Sequence, residues 1–133
     1  MNDGTVSGFH HVELWLHDLG DQLPAWDWLF ERLGWTPYQD WQHGRSWRAP
    51  DGSYLVIEES PDLATDVFDR TRAGVNHLAL NTTRDAVDAI TAACGDHGWS
   101  VLFGDRHPHA GGPDHYAAYL ENAYGFEIEL VAT

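Results

Sequence analysis

The sequence predicts an α+β fold with two βαβββ modules, at about residues 8–60 and 74–131, whose strands form a curved mixed sheet with the helices on the outside. Two observations support this. A histidine stands at the same place in two strand-like segments half a chain apart, FHHVELWL at 9–16 and VNHLALN at 75–81. Each segment precedes a helical pattern and then three further strand-like segments, so the order strand, helix, three strands occurs twice. A chain of 133 residues is long enough to bury a core, and we expect one domain over 1–133.

The two histidine-bearing segments each have one apolar face. In an extended strand alternate side chains share a face, which places His11, Glu13 and Trp15 together and apolar side chains opposite them. In the second segment His77 lies on the same face as Asn81, opposite two leucines. Each strand therefore has one face for the core and one face that bears a histidine.

A helix is predicted after each of these strands. Asp21 is the expected N-cap of the first helix, Pro24 suits its first turn, and Gly34 ends it. Thr83 is the expected N-cap of the second helix and Gly98 ends it. The apolar stripes are Leu23, Trp26, Phe30 and Leu33 in the first helix and Val87, Ile90 and Cys94 in the second. Each helix runs into a Gly-Trp pair, which is a further sign of duplication.

Three strand-like segments follow each helix. They are WTPYQDW, RSWRA and SYLVIEE in the first half, and WSVLF, HYAAYLE and FEIELVA in the second. Turns are predicted at 50–52 and 122–125, a polar linker at 60–73, and a loop rich in Gly, Pro and His at 104–114.

The composition excludes several classes of partner. The chain has 21 Asp and Glu against 7 Lys and Arg, a net charge of −14. Nucleic acid is excluded as an expected partner, because phosphate neutralisation requires Lys and Arg, and no apolar run approaches the roughly 18 residues of a membrane span. Cys94 is the only cysteine, so no intrachain disulfide is possible. Without a signal-peptide pattern, we expect a cytoplasmic location.

A glutamate stands in the last strand of each half. Glu58 in LVIEES and Glu129 in EIELVA both lie on the face turned away from the apolar side. With His11 and His77 they form a set of two imidazoles and two carboxylates, related by the internal repeat. Such a set suits a divalent metal ion such as Zn, Ni, Fe, Mn or Co. Any one of the four residues, taken alone, is equally compatible with an ordinary strand residue facing solvent.

The repeated order, together with HHVELWL, VIEE, NHLAL and ENAYGFEIEL, resembles the vicinal oxygen chelate superfamily over about residues 8–131. Its members include glyoxalase I, fosfomycin-modifying enzymes, extradiol dioxygenases and bleomycin-binding resistance proteins. The glyoxalase-type pattern implies His11, Glu58, His77 and Glu129 as metal ligands. The extradiol and fosfomycin pattern implies the same set without Glu58. Glu59 is the alternative to Glu58, but its parity directs it to the core side.

Other residues are candidates for the chemistry. Tyr119, ten residues before Glu129, resembles in placement the catalytic tyrosine of extradiol dioxygenases, although the signature histidine spacing of that family is not kept. His107, His109 and His115 are acid/base candidates in the loop and just after it, against the alternative of solvated loop residues. The remaining candidates are His10 as a neighbour of His11, Arg45 and Arg48 as anion-binding groups, and Trp15, Trp41, Trp47 and Tyr54 as the lining of an aromatic cup.

The resemblance implies a metal-dependent lyase or isomerase acting on a small oxygen-bearing substrate, in which Glu58 or Glu129 moves a proton on a carbon next to a carbonyl. The alternatives are an extradiol-type dioxygenase and a metal-independent drug-binding protein. Since one βαβββ module cannot close a cup on its own, we also expect a homodimer.

Overall fold

Eight strands and two α-helices follow one another in the predicted order, in a computed structural model that describes residues 6–133. The first module consists of β1 (His11–Leu16), α1 (Leu19–Arg32), β2 (Thr36–Trp41), β3 (Gly44–Arg48) and β4 (Tyr54–Glu59). The second module consists of β5 (Leu78–Thr82), α2 (Arg84–Ala93), a 3-10 turn (Cys94–His97), β6 (Trp99–Leu102), β7 (Ala117–Asn122) and β8 (Glu127–Ala132).

The strands are divided between two four-stranded sheets with the same topology. Their orders are β1-β4-β3-β2 and β5-β8-β7-β6. In each sheet the first and last strands of the module pair in parallel and the other pairs are antiparallel. The α+β class and the two βαβββ modules are therefore confirmed. β1 and β5 each lie at the edge of their own sheet and are not hydrogen-bonded to each other. The two modules therefore do not form one continuous sheet.

One hydrophobic core joins the two modules through α1. Trp26 is fully buried, and its ring meets Trp99 at 5.1 Å and Phe126 at 5.7 Å in edge-to-face contacts. The indole Nε1 of Trp99 donates to the Ala25 carbonyl at 2.9 Å. The stripe of α2 is buried as predicted. Burying aromatic rings of this size is the main apolar contribution to the joint between the modules.

The start of α1 differs from the prediction. The helix begins at Leu19, and its N-cap is Asp18, whose Oδ1 accepts from the Asp21 amide at 3.0 Å. Asp18 has a φ of 55°, a left-handed conformation that no pattern in the sequence signals. Pro24 consequently lies within the helix instead of in its first turn. Thr83, in contrast, is the N-cap of α2 as predicted, and its side chain accepts from Ala86 N.

The linker between the modules docks on the second module. Its Phe68 ring stacks on Phe126 at 5.1 Å, and the Phe68 amide donates to the Tyr124 carbonyl. Gly125, with a φ of 88°, makes room for this contact, because a Cβ atom there would lie 2.1 Å from the Phe68 carbonyl oxygen. The linker therefore covers part of the second sheet.

The helices of residues 6–133 are all too short or too polar to cross a bilayer.

Candidate functional site

The second sheet presents a buried carboxylate to two imidazoles. Glu129 of β8 has a side chain only 7% exposed. Its Oε1 lies 2.9 Å from Nε2 of His77, which immediately precedes β5, and its Oε2 contacts Nε2 of His115. Tyr119 of β7 is paired with Glu129 in the sheet register, and its ring meets the His77 ring edge to face at 5.8 Å. Three side chains that the sequence separates by up to half a chain therefore converge on one carboxylate.

These contacts set the charge of Glu129. Burial alone raises the pKa of a carboxyl group, but the hydrogen bonds from His115, His77 and Tyr119 outweigh burial here and hold the pKa of Glu129 below its ordinary value. Burial, together with the charge of Glu129, raises the pKa of the Tyr119 phenol. At neutral pH Glu129 is thus an anion and Tyr119 a protonated donor.

Asn76 fixes how His77 faces Glu129. The Asn76 amide nitrogen donates to the Arg70 carbonyl at 2.9 Å, which directs the amide oxygen to Nδ1 of His77 at 2.7 Å. An amide oxygen only accepts, so Nδ1 carries the hydrogen. In the neutral ring this leaves a lone pair on Nε2, which then faces an ionised carboxylate oxygen at 2.9 Å. Two lone pairs at that distance repel unless a proton or a cation lies between them.

A second buried carboxylate, that of Glu127, lies beside His77. Glu127 is 3% exposed and lies on the same face of β8 as Glu129. Arg70 of the linker pairs with Glu127 Oε1 at 3.3 Å and hydrogen-bonds Glu121 at 3.0 Å. Nδ1 of His77 lies 3.6 Å from the other oxygen of Glu127. The linker thus supplies the positive charge that two neighbouring buried carboxylates need.

The first sheet presents a different face. His11, the first residue of β1, stacks on Tyr54 of β4 with ring centroids 4.8 Å apart, and Tyr54 meets Tyr38 of β2 at 5.1 Å. The Arg48 guanidinium lies 5.1 Å from the Tyr38 ring centroid. We refer to His11, Tyr54, Tyr38 and Arg48 as the aromatic strip. His10 is exposed beside it, with its Nδ1 2.8 Å from Nδ1 of His11.

The two adjacent glutamates of β4 have different roles. Glu58 is half-buried and is paired with Trp15 of β1 and Gly44 of β3 in the sheet register. Its side-chain carboxylate has no hydrogen-bond partner within residues 6–133. Glu59 accepts from the Leu19 amide at the start of α1 at 2.9 Å and lies 3.7 Å from His43. Glu59 therefore stabilises a helix N-terminus on the core side, as its parity predicts, and does not replace Glu58 at the site.

A single chain brings together only half of the predicted metal ligands. His77 and Glu129 are in contact on the second sheet, while His11 and Glu58 lie on the first sheet, which is not hydrogen-bonded to the second. Across the described part of the chain, no group of three or more His, Cys, Asp or Glu side chains is arranged to hold a metal ion. The set His11, Glu58, His77 and Glu129 stays a prediction, as does the catalytic assignment of Glu129, Glu58 and Tyr119.

Several lesser candidates have structural roles. Trp47 is 2% exposed and packs on Phe30 in the core, so it does not line a cup. Arg45 donates to the carbonyls of Trp41 and Gly44 and pairs with Asp40 at 3.1 Å, which leaves it little capacity for an external anion.

The remaining candidates from the sequence are the loop histidines and Trp15. Nδ1 of His109 donates to the His115 carbonyl at 3.3 Å, and His107 is half-buried before a cis proline. Trp15 is 45% exposed, on the same face as His11. Of the three loop histidines, His115 is the one that contacts Glu129.

Sequence reasoning missed Asn76, Arg70 and Glu127 as parts of the site. Glu127 had one available signal, since strand alternation places it on the same face as Glu129. Its burial, however, depends on the linker folding over the sheet, which alternation does not report. A cavity of about 720 Å³ lies between this linker, Trp15 and Phe126, and its lining includes neither His77 nor Glu129.

Comparison with known proteins agrees with the architecture. Residues 10–119 match the family model of the glyoxalase/bleomycin resistance protein/dioxygenase superfamily. The uncharacterized protein YqjT of Bacillus subtilis strain 168 is 39% identical over 125 residues, which cover 92% of this chain and 97% of YqjT.

Solved structures show the same fold. A candidate glyoxalase from Bacillus halodurans is 38% identical, with a TM-score of 0.85 and coverage of 98% of this chain and 97% of the other. The fosfomycin resistance protein FosX from Listeria monocytogenes, solved with Mn(II) and sulfate, has a TM-score of 0.62 at 16% identity, over 96% of this chain and 91% of FosX, and indicates the fold alone. A family match over most of the chain and a relative at this identity establish that the chain belongs to the glyoxalase/bleomycin resistance protein/dioxygenase superfamily.

Proposed function

We propose that this chain is a divalent-metal-dependent vicinal oxygen chelate enzyme, a lyase or isomerase of glyoxalase type that acts on a small oxygen-bearing substrate. The observation that carries the proposal is the contact of His77 with Glu129. Asn76 accepts from Nδ1 of His77 and so turns Nε2 toward the buried Glu129 carboxylate, where a metal cation bound by both groups would replace the proton that they share. Metal-binding histidines characteristically donate their other ring N–H to an oxygen acceptor in this way.

The donor set of the second sheet fits half of a metal site. Imidazole and carboxylate are ligands for Zn, Ni, Fe, Mn and Co alike, and FosX, which shares the fold, holds Mn(II). His11 would complete a set of two imidazoles and one carboxylate, while Glu58, which is paired with Trp15 four residues along β1 from His11, would serve as the neighbouring base. Because one chain does not bring them to His77 and Glu129, we propose a homodimer in which the first module of one chain meets the second module of its partner. A cytoplasmic location belongs to the same proposal.

The residues of the site would divide the chemistry among them. A bound metal would supply Lewis-acid polarisation of a substrate carbonyl. Glu58 has no hydrogen-bond partner within residues 6–133, so it is the carboxylate available to move a proton on the neighbouring carbon. Tyr119 stays protonated and would donate a hydrogen bond to a substrate oxygen. Glu129, held by three partners, would serve to bind the metal and not to shuttle protons.

Metal binding tests the first half of the proposal. His77→Ala and Glu129→Gln should each lower the affinity for Mn(II) or Zn(II), measured by calorimetry, by more than about tenfold. His17→Ala is the matched control, because His17 is a half-exposed histidine that pairs with Asp66 away from this site. Stoichiometric metal in the His77→Ala protein would reject the assignment.

Mixing two inactive variants tests the shared site. If ligands come from two chains, a mixed dimer of His11→Ala and His77→Ala chains has one composite site in which every ligand is intact. Metal binding should then reappear on mixing, and light scattering should report a dimer. A monomer, or no recovery of metal binding, would contradict the shared arrangement.

Proton exchange tests the reaction class. With metal present, the wild-type protein should exchange the carbon-bound hydrogens of hydroxyacetone in D2O, followed by NMR. Glu58→Gln should reduce the exchange while it retains the metal, whereas Glu129→Gln should lose both. Equal exchange by wild type and Glu58→Gln would remove Glu58 as the base.

A drug-sequestering function is the second candidate, and the exposed aromatic strip on a chain of net charge −14 favours it. Such a protein would bind its ligand equally well with and without EDTA and would form no product. An extradiol-type dioxygenase is the remaining alternative, and the pairing of Tyr119 with Glu129 supports it.

A further inference from the structure

The aromatic strip is a continuous row of rings that solvent can reach. His11 and Tyr54 are nearly parallel, with an interplanar angle of 10°, and Tyr38 meets the edge of Tyr54 at 64°. Tyr38 is 47% exposed and His11 is also exposed. Aromatic rings that lie against one another on three different strands, without being part of the core, form a surface suited to a flat apolar group.

Arg48 of β3 adds a positive charge to the strip, opposite Tyr54 in the sheet register and beside Tyr38. Its Nε donates to the Gly52 carbonyl at 3.2 Å, which orients the guanidinium over Tyr38 and leaves the Nη atoms pointing to other acceptors. Within residues 6–133, Arg48 has no carboxylate partner at 4.0 Å or less. In a chain with three times as many acidic as basic side chains, an unpaired, oriented guanidinium is a ready site for a carboxylate.

Negative charge lies on the other side of the strip. Glu13 follows His11 on the same face of β1, with its carboxylate bound to Trp15 Nε1 at 2.7 Å. Glu58 lies further along β4 on the same face as Tyr54. An anionic ligand group is repelled at that side and attracted at Arg48, so the charges give a bound ligand one orientation.

We propose that the aromatic strip binds an aromatic carboxylate. The ring stacks on Tyr38 and meets Tyr54 edge to face, and the carboxylate pairs with Arg48. The proposal rests on the proposed function in one respect: a ring substituent of the ligand then reaches His11, the candidate metal ligand on β1. The aromatic strip itself needs no metal, and its ligand class is set by the rings and by Arg48 alone.

The test uses three probes on the full chain with EDTA present. Benzoate has the ring and the charge, benzamide has the ring alone, and cyclohexanecarboxylate has the charge alone. In NMR titrations benzoate should bind about tenfold more tightly than either of the others. Its amide shifts should centre on the residues of the aromatic strip and on Gly52.

Two variants and one control separate the contributions. Arg48→Gln should weaken benzoate about tenfold and leave benzamide unchanged. Tyr38→Leu should weaken benzoate and benzamide alike and leave cyclohexanecarboxylate unchanged. Arg72→Gln is the matched control, since Arg72 is an exposed arginine of the linker, and it should change none of the three.

The outcomes distinguish the two proposals. Unchanged benzoate affinity in Arg48→Gln, or equal affinity for benzoate and cyclohexanecarboxylate, overturns the aromatic carboxylate site whatever the metal result. The protein could bind benzoate as expected and yet bind neither Mn(II) nor Zn(II). That result supports the aromatic carboxylate site and contradicts only the proposed metal-dependent function.

Discussion

The two modules share one topology but present different faces. The second sheet holds a buried network in which Glu129 contacts His77, His115 and Tyr119. The first sheet holds exposed rings and a half-buried Glu58 without a hydrogen-bond partner in residues 6–133. The duplicated fold therefore does not dictate a duplicated site. The burial of the polar side chains on each face depends on which segment of the chain packs over that face.

The linker accounts for the difference. Phe68 and Arg70 attach it to the second module, where Arg70 pairs with Glu127. Glu129 is held there by its side-chain contacts, and Glu127 is offset by the charge of Arg70, although Oε1 of Glu127 accepts no hydrogen bond within residues 6–133. Residues 6–133 place no such cover over the strip of the first sheet, where Tyr38 and His11 are exposed. One face is preorganised and the other is open.

Removing the joint between the modules should have the largest effect. Trp26→Ala deletes a fully buried ring that packs on Trp99 and Phe126, and should destabilise the protein by about 3–5 kcal/mol in urea unfolding. Trp15→Ala, on the open face and 45% exposed, is the control and should cost about 1 kcal/mol or less. Similar losses for both tryptophans would show that the modules are not held together through α1.

Removing the linker cation should affect the second face next. Arg70→Gln leaves Glu127 buried without its ion pair and should cost about 2–3 kcal/mol, less than for a fully buried pair because Arg70 is itself 26% exposed. Arg72→Gln breaks only an exposed pair with Asp69 and should cost at most about 0.5 kcal/mol. Equal stability of the two variants, measured by chemical unfolding, would mean that Arg70 does not stabilise the buried carboxylates.

Displacing the linker should have a smaller effect. Gly125→Ala introduces a Cβ atom against the Phe68 carbonyl at a positive φ, and should cost about 1–3 kcal/mol and increase hydrogen exchange in the linker. Gly95→Ala, where a Cβ atom meets nothing within 4 Å, is the control and should be close to neutral. Unchanged exchange at Phe68 in Gly125→Ala would contradict the docking of the linker.

Lowering the pH should reduce the free energy of unfolding, in part through protonation of Glu129. Its pKa in the folded state lies below the ordinary value of 4.5, so the ionised group stabilises the fold above that pH. This contribution is lost as the pH falls through the lower, folded-state pKa. Unfolding free energies from about pH 6 to about pH 3 should therefore fall less steeply in Glu129→Gln than in the wild type. Parallel curves would show that Glu129 is not stabilised by its partners.

Sequence reasoning predicted the fold because local patterns determine most of it. Strand alternation, the Thr83 cap and the glycine turns are short-range features, and the structure confirms them. The Asp18 cap was missed because the left-handed conformation of Asp18 leaves no mark in composition. The contact between His77 and Glu129 follows from parallel pairing of β5 with β8, whereas the sequence predicted only that both side chains face away from the apolar side.

The rest of the site depends on long-range packing. His115 reaches Glu129 through the conformation of a loop, and Glu127 is buried by a linker that the sequence marks only as polar. Whether β1 pairs with β5 is likewise a choice between distant partners, and the hydrophobic pattern of each strand is compatible with either outcome. Side-chain periodicity reports which face a residue occupies but not what covers that face.

The docked linker also sets the length of the tether between the modules. Residues 60–67 connect the end of β4 at Glu59 to Phe68, and within this segment Asp66 lies 3.4 Å from His17 of the first module. Fully extended, that segment spans about 28 Å at most. The first module is therefore confined to a small sphere around the second, which keeps their effective concentration high. Any exchange of modules between two chains must take place within that radius.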